Sequence, residues 1–153
     1  VRYLRQWSWP GRASLVRRDR LHLTLHFIGP VDRQRLAEVS AGLQVPIEPF
    51  ALTLRKAEIW PRGIAVLQAA EVPEELTRLH THLAEALQAL HLPVEARRFR
   101  PHVTLARRAA GAVPPLDTPP QHWRVGGYLL VESLPGVGNG YPTMMAFGSH
   151  PGS

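Results

Sequence analysis

Two short segments of this chain carry the same four-residue pattern, HLTL at His22 to Leu25 and HVTL at His102 to Leu105, 80 residues apart. Side chains two apart on a strand point to one face, so each segment, read as a strand, sets a histidine beside a threonine hydroxyl. Opening a cyclic phosphodiester needs a base to take a proton from water and an acid to protonate the departing ribose oxygen. Histidine suits both roles, since an ordinary pKa of about 6.5 lets one ring be neutral and another charged near neutrality. Threonine hydroxyls can then hydrogen-bond the non-bridging oxygens, where negative charge develops. One H-x-T arises easily by chance among strand residues; the second copy makes His22, Thr24, His102 and Thr104 a candidate phosphate site with its own acid and base.

Other residues compete for, or could join, that chemistry. Arginine brackets the second motif at Arg97, Arg98, Arg100, Arg107 and Arg108, and Arg107, directly after it, is the expected phosphate or RNA-backbone contact. Arg100 is a further possible substrate contact, and His26 shares the alternating face of His22 and Thr24 as a participant or a pocket-edge residue. Metal binding is the rival use of eight histidines. Its spacing is wrong: His80 and His82 stand two apart on a predicted helix and point apart, and no H-E-x-x-H occurs. We therefore expect no metal site. The segment GVGNG at Gly136 to Gly140 lacks the lysine and following helix of a P-loop and reads as a hairpin turn. Trp7, Trp9, Trp60 and Trp123 could stack on bases, although isolated tryptophans are more often core residues.

The elements that must position these residues follow from periodicity. Leu21 to Ile28 alternates strictly, with His22, Thr24 and His26 on one face and Leu21, Leu23, Leu25 and Phe27 on the other, until Gly29 and Pro30 stop the run. Before it, the first 20 residues are basic and irregular and read as a helix end followed by a loop. After it, Leu36, Val39 and Leu43 recur at helical spacing from Asp32 to Leu43, with Asp32 as N-cap. Strands are expected at Phe50 to Ile59 and Ile64 to Ala70, joined by a hairpin through Trp60 to Gly63. Pro73 at the first helical position, followed by Glu74 and Glu75, opens a helix with the apolar stripe Leu76, Leu79, Leu83, Leu87 and Leu90. Further strands are expected at about Pro101 to Ala106, Trp123 to Glu132 and Tyr141 to Phe147, and Ala109 to Pro120, with four prolines, reads as an exposed loop. The order argues for an α+β fold with mainly antiparallel pairing. The doubled motif suggests two related lobes facing one another.

Composition narrows the function classes. At 153 residues and 44% hydrophobic content the chain can bury one core or two small ones. It has no cysteine, which excludes disulfides and a thiol nucleophile, and no apolar run of about 18 residues that would span a membrane. A soluble, cytoplasmic protein without a membrane role is the expectation. The formal charge is +6, and Lys56 is the single lysine among 18 basic residues. That bias suits a polyanionic partner such as RNA, and a GC-rich coding sequence would produce it equally well.

The stretches HLTLHFIG (His22 to Gly29) and FRPHVTLAR (Phe99 to Arg107) closely resemble the signatures of the 2H phosphoesterases. Within them they are most similar to the RNA 2′,3′-cyclic phosphodiesterases, long described as 2′-5′ RNA ligases. The resemblance covers most of the chain, including a late tyrosine, Tyr141, as a possible substrate contact. It implies one bilobal domain over 1–153, two pseudo-symmetric lobes each with a mainly antiparallel sheet and helices outside, and a central cleft where the motifs meet. Family members usually begin with a short apolar strand and most of a helix ahead of the segment matching Tyr3 to Trp9, so it also implies a missing N-terminal strand. By motif position His102 would activate water, His22 would protonate the leaving oxygen, and Thr24, Thr104 and Arg107 would hold phosphate. Near-symmetry would let the two histidines exchange roles. The implied activity is conversion of an RNA 2′,3′-cyclic phosphate end to a 2′-phosphomonoester without metal or other cofactor, with weak 2′-5′ ligation. The implied partner is RNA alone, with no obligate protein partner and monomer as the default. The alternatives are a non-catalytic module that grips RNA ends and a 2H phosphodiesterase acting on a small cyclic phosphate.

Overall fold

In a computed structural model that describes residues 3–132 and 143–148, the chain divides into two compact units. The first comprises Val1–Thr24, Leu52–Val72 and Phe99–Trp123; the second comprises Leu25–Ala51, Pro73–Arg98 and Arg124–Ser153. Both histidine-threonine motifs therefore lie in the first unit up to Thr24, where the chain crosses into the second. Among the described residues no helix is long and apolar enough to cross a membrane.

The first unit is organised by a five-stranded sheet in the order β1-β4-β3-β2-β5. Its strands are β1 (Ser14–Leu15), β2 (Phe50–Trp60), β3 (Ile64–Ala69), β4 (His102–Arg107) and β5 (Gln121–Val125), the ends of β2 and β5 being counted with the second unit. β2 and β3 form the expected hairpin, with Trp60 opposite Ile64 and Arg62 and Gly63 both at positive φ (68° and 71°) in the turn. Glycine is required at 63: a Cβ there would stand 2.8 Å from the backbone nitrogen of Ala110, and the Gly63 carbonyl accepts from Ala109 N at 2.7 Å. β3 and β4 pair antiparallel at the centre, and Ala65, Val66, Leu67, Val103, Leu105 and Ala106 are buried around that pairing.

The second unit packs two helices against a two-stranded sheet. Helix α1 (Leu36–Gly42) is led in by a 3-10 turn at Arg33–Arg35, and Asp32 caps that turn by accepting Gln34 N at 3.0 Å, the expected cap on a tighter first turn. Helix α2 (Glu74–Ala89) buries Leu76, Leu79, Leu83 and Leu87 as its stripe requires. Pro73 is its N-cap, with extended ψ of 146°, one position earlier than expected. The helix closes with His91 at φ 58°, His91 N bonding Gln88 O and Leu92 N bonding Leu87 O. That is the Schellman pattern with histidine where glycine is usual. Val39, Leu43, Leu79, Leu83, Leu87, Tyr128 and Phe147 form the core of this unit. Tyr128 joins it with its polar end satisfied: its hydroxyl donates to Leu43 O at 2.7 Å and accepts from Val45 N at 2.9 Å, while burial pushes its pKa up.

Three expectations change. The run Trp123 to Glu132 is two strands, β5 and β6 (Gly127–Val131), broken at Gly126 and belonging to different sheets; β6 pairs with β7 (Thr143–Gly148). The alternating run from Leu21 forms a single antiparallel bridge, Leu23 with Val103, and no longer strand. Up to Leu25 the alternation matches burial, with His22 and Thr24 exposed and Leu21, Leu23 and Leu25 partly buried; beyond it Phe27 is exposed and His26 partly buried, the run straddling the boundary between the units. The first 20 residues hold 3-10 turns at Tyr3–Gln6 and Arg18–Arg20 around the two-residue β1, which the basic, irregular sequence conceals. Gly136 to Gly140 and Tyr141 lie outside the described residues.

Candidate phosphate site

The chain brings its two motifs together along one edge of β4. β1 pairs with the end of that strand, Leu15 opposite Ala106 and Val16 N bonding Leu105 O at 2.8 Å. It then leaves through the turn at Arg18–Arg20 and returns at Leu23. Because the Leu23–Val103 pairing is antiparallel, residues flanking it lie across from one another: His22 from Thr104, and Thr24 from His102. Leu23 and buried Val103 point one way and the four polar side chains the other. The pattern is its own mirror about the bridge, so both sides of the site carry one imidazole and one hydroxyl.

Each histidine is oriented the same way. Nδ1 of His22 lies 2.6 Å from Arg20 O, and Nδ1 of His102 lies 2.7 Å from Arg100 O. A carbonyl only accepts, so both Nδ1 atoms carry hydrogen and donate, and Nε2 is the nitrogen left to exchange a proton. Two imidazoles of the same tautomer, one able to accept at Nε2 and one, when protonated, able to donate there, have the chemistry that general base and general acid catalysis would use.

A bulge shapes the far end of β4. Val66 pairs with Thr104 but Ala65 pairs with Ala106, one residue being inserted on β4. An extra residue reverses the alternation, which returns Arg107 to the face of His102 and Thr104, where strict alternation would have turned it away. Arg107 is exposed there.

The same face carries a cluster that the motifs did not announce. Trp60 on β2 and His102 on β4 meet over β3, ring centroids 4.4 Å apart and tilted by 57°. The Arg100 guanidinium lies over the Trp60 ring at 4.4 Å, donates to Gln68 Oε1 at 3.2 Å and pairs with Glu58 at 3.6 Å. Glu58 in turn accepts from the Trp60 indole N–H at 3.0 Å and pairs with Lys56 at 3.2 Å. The indole N–H, then Lys56 and Gln68, hold the Glu58 carboxyl below the usual range against an opposing effect of burial. Lys56, Glu58 and Trp60 alternate along β2, and that period-two polarity was the available sequence signal; Arg100, expected as a substrate contact, is engaged in this cluster.

His26 takes a different course. It belongs to the second unit, where its ring stacks on His80 at 4.0 Å and its Nε2 donates to His80 O at 2.8 Å. Burial, then the neighbouring His26, lowers the His80 pKa to about 4. Thus the structure gathers His22, Thr24, His102, Thr104 and Arg107 in one unit, and His26 in the other.

The RNA 2′,3′-cyclic phosphodiesterase of Escherichia coli is 35% identical over 107 residues, 68% of this chain and 60% of the relative. That of Methanocaldococcus jannaschii is 30% identical over 109 residues, 70% of this chain and 61% of the relative. The chain thus spans about three-fifths of the length of these curated relatives. Among solved structures, E. coli LigT complexed with NADP+ matches with TM-score 0.78 at 25% identity, covering 96% of this chain and 86% of that one. A crystal structure described as a phosphoesterase matches with TM-score 0.75 at 26% identity, covering 89% and 80%. The α+β fold is shared with both of these structures. The model of the 2′-5′ RNA ligase superfamily matches residues 4–133, and with both its histidine-threonine motifs in that span the chain belongs to this superfamily.

Proposed function

We propose that this chain hydrolyses RNA 2′,3′-cyclic phosphate ends to 2′-phosphomonoesters by two-histidine acid-base catalysis. The observation that carries the reading is the Leu23–Val103 bridge, which sets two His/Thr pairs on one face with both imidazoles in the same tautomer. His102 Nε2 takes a proton from water, whose oxygen attacks phosphorus; the bond from phosphorus to the ribose 3′ oxygen breaks, and that oxygen takes a proton from His22 Nε2. Thr24 and Thr104 hydrogen-bond the non-bridging oxygens, and Arg107 offers a fixed positive charge on the same face. A ribose 5′-hydroxyl replacing water would form a 2′-5′ linkage, the weak ligation in the same scheme. Relatives named as RNA 2′,3′-cyclic phosphodiesterases support this substrate class, and both His/Thr pairs come from one chain.

The test is incubation with an RNA oligonucleotide ending in a 2′,3′-cyclic phosphate, with and without EDTA, and identification of the end group by mass and phosphatase sensitivity. The proposal expects a 2′-monophosphate at equal rates in both. Tight binding with no turnover at any pH would replace it with a module that grips RNA ends, and turnover of small cyclic phosphates alone would move the substrate class.

A further inference from the structure

We infer that Trp60, braced by Glu58 and Arg100, is a positioning residue that fixes the imidazole of His102 in the proposed reaction. A histidine ring has two free torsions, and the bond from Nδ1 to Arg100 O at 2.7 Å constrains the ring about that contact without stopping it from swinging around it. A second, non-collinear contact tightens the hold on Nε2. The Trp60 ring supplies it, at 4.4 Å and inclined by 57°. The indole is itself held at two points: its N–H by Glu58 at 3.0 Å and its face by the Arg100 guanidinium at 4.4 Å.

The contacts close into a ring. Arg100 gives His102 its backbone acceptor and, through its side chain, grips Trp60 and Glu58, with Gln68 Oε1 fixing the guanidinium at 3.2 Å. Gln68 is 7% exposed and is the Cα partner of His102 across β3 and β4, so the anchor of the clamp and the histidine it serves are tied to one register. Displacing a catalytic group by about 1 Å can cost about 10²-fold in rate, which is the reason to constrain this ring from two sides.

The inference rests on the proposed hydrolysis for its rate effect but has a readout that does not. In 15N-labelled protein without substrate, the His102 ring signals, identified by their loss in His102→Asn, are compared in wild type, Trp60→Ala, Trp60→Phe and Glu58→Gln, with the amide spectrum as the check of folding. Loss of the indole in Trp60→Ala should move the His102 ring-proton signals and leave those of His22 in place. Glu58→Gln should move them part of the way, and it carries the test if Trp60→Ala does not fold. With the cyclic-phosphate oligonucleotide, Trp60→Ala should lower kcat by about tenfold to hundredfold with KM within about twofold, and Trp60→Phe should recover most of the loss. Unmoved His102 signals in folded Trp60→Ala would overturn the inference, as would a raised KM at constant kcat, the mark of a base-stacking platform. If wild type turns over no substrate, the proposed hydrolysis fails while the ring signals still decide whether Trp60 positions His102.

Discussion

Four histidines of this chain form two pairs, and the two units treat them in opposite ways. His22 and His102 of the first unit each donate Nδ1–H to the carbonyl two residues back, a bond local enough to fix the tautomer while the rings stay on a partly open face. His26 and His80 of the second unit stack at 4.0 Å and are partly buried, and the His80 pKa falls to about 4. One arrangement fixes the tautomer of each ring through a carbonyl close in sequence; in the other, desolvation and a neighbour of the same type suppress the charged form of His80. The contrast teaches that residue type and spacing nominate a histidine for proton transfer, and that its surroundings decide.

The sharpest way to break the contrast is to remove one member of each pair. On the proposed reaction, His22→Ala or His102→Ala should lower kcat with the cyclic-phosphate oligonucleotide by about 10²- to 10⁴-fold, the range for loss of a general acid or base. His26→Ala should leave kcat within a small factor, measured in the same assay. The next largest effect belongs to the hydroxyls. Thr24→Val or Thr104→Val keeps shape and loses one donor to the developing charge, and should lower kcat by about 10²-fold, near the lower end for one oxyanion donor. Equal losses at the two threonines would sharpen the mirror relation about the Leu23–Val103 bridge.

What the sequence reveals about these pairs depends on how far each interaction reaches along the chain. The H-x-T motifs are legible because the relevant geometry is strand alternation over three residues, and helix α2 because its leucine stripe and opening carboxylates are local. The clamp on His102 is not, since Glu58 and Trp60 come from β2 and Arg100 from just before β4, and only pairing through β3 puts them side by side. His26 is misleading for the same reason: alternation puts it on the face of Thr24, but a partner 54 residues on captures it. The β4 bulge, which returns Arg107 to the face of His102, and the break at Gly126, which divides one apparent strand between two sheets, are likewise decided by pairing partners the local pattern does not contain.

The suppressed charge on His80 makes a prediction about stability. An unfolded His80 titrates near its ordinary pKa of about 6.5, whereas the folded ring stays neutral down to about 4. Between these values the unfolded chain binds a proton that the folded one does not, so this contribution is fully present above about pH 6.5 and is lost as pH falls toward 4. Urea midpoints at pH 5 and pH 7.5 should therefore differ more in wild type than in His80→Gln. Equal differences would show that His80 is protonated in the folded protein as readily as in the unfolded one.

A fifth histidine sharpens the comparison from a different side, because at His91 only the backbone matters. It holds the left-handed position that closes α2, φ 58°, and its side chain is exposed. A non-glycine residue there carries strain of about 1 kcal/mol or more, while glycine would cost about 0.5–1 kcal/mol in extra freedom of the unfolded chain. The strain is the slightly larger quantity, and histidine is among the residues that tolerate this region better than most. His91→Gly should accordingly stabilise the protein by less than about 1 kcal/mol, read as a small rise in urea midpoint at unchanged slope. A comparable fall would mean that the exposed ring contributes more to the helix end than its backbone costs.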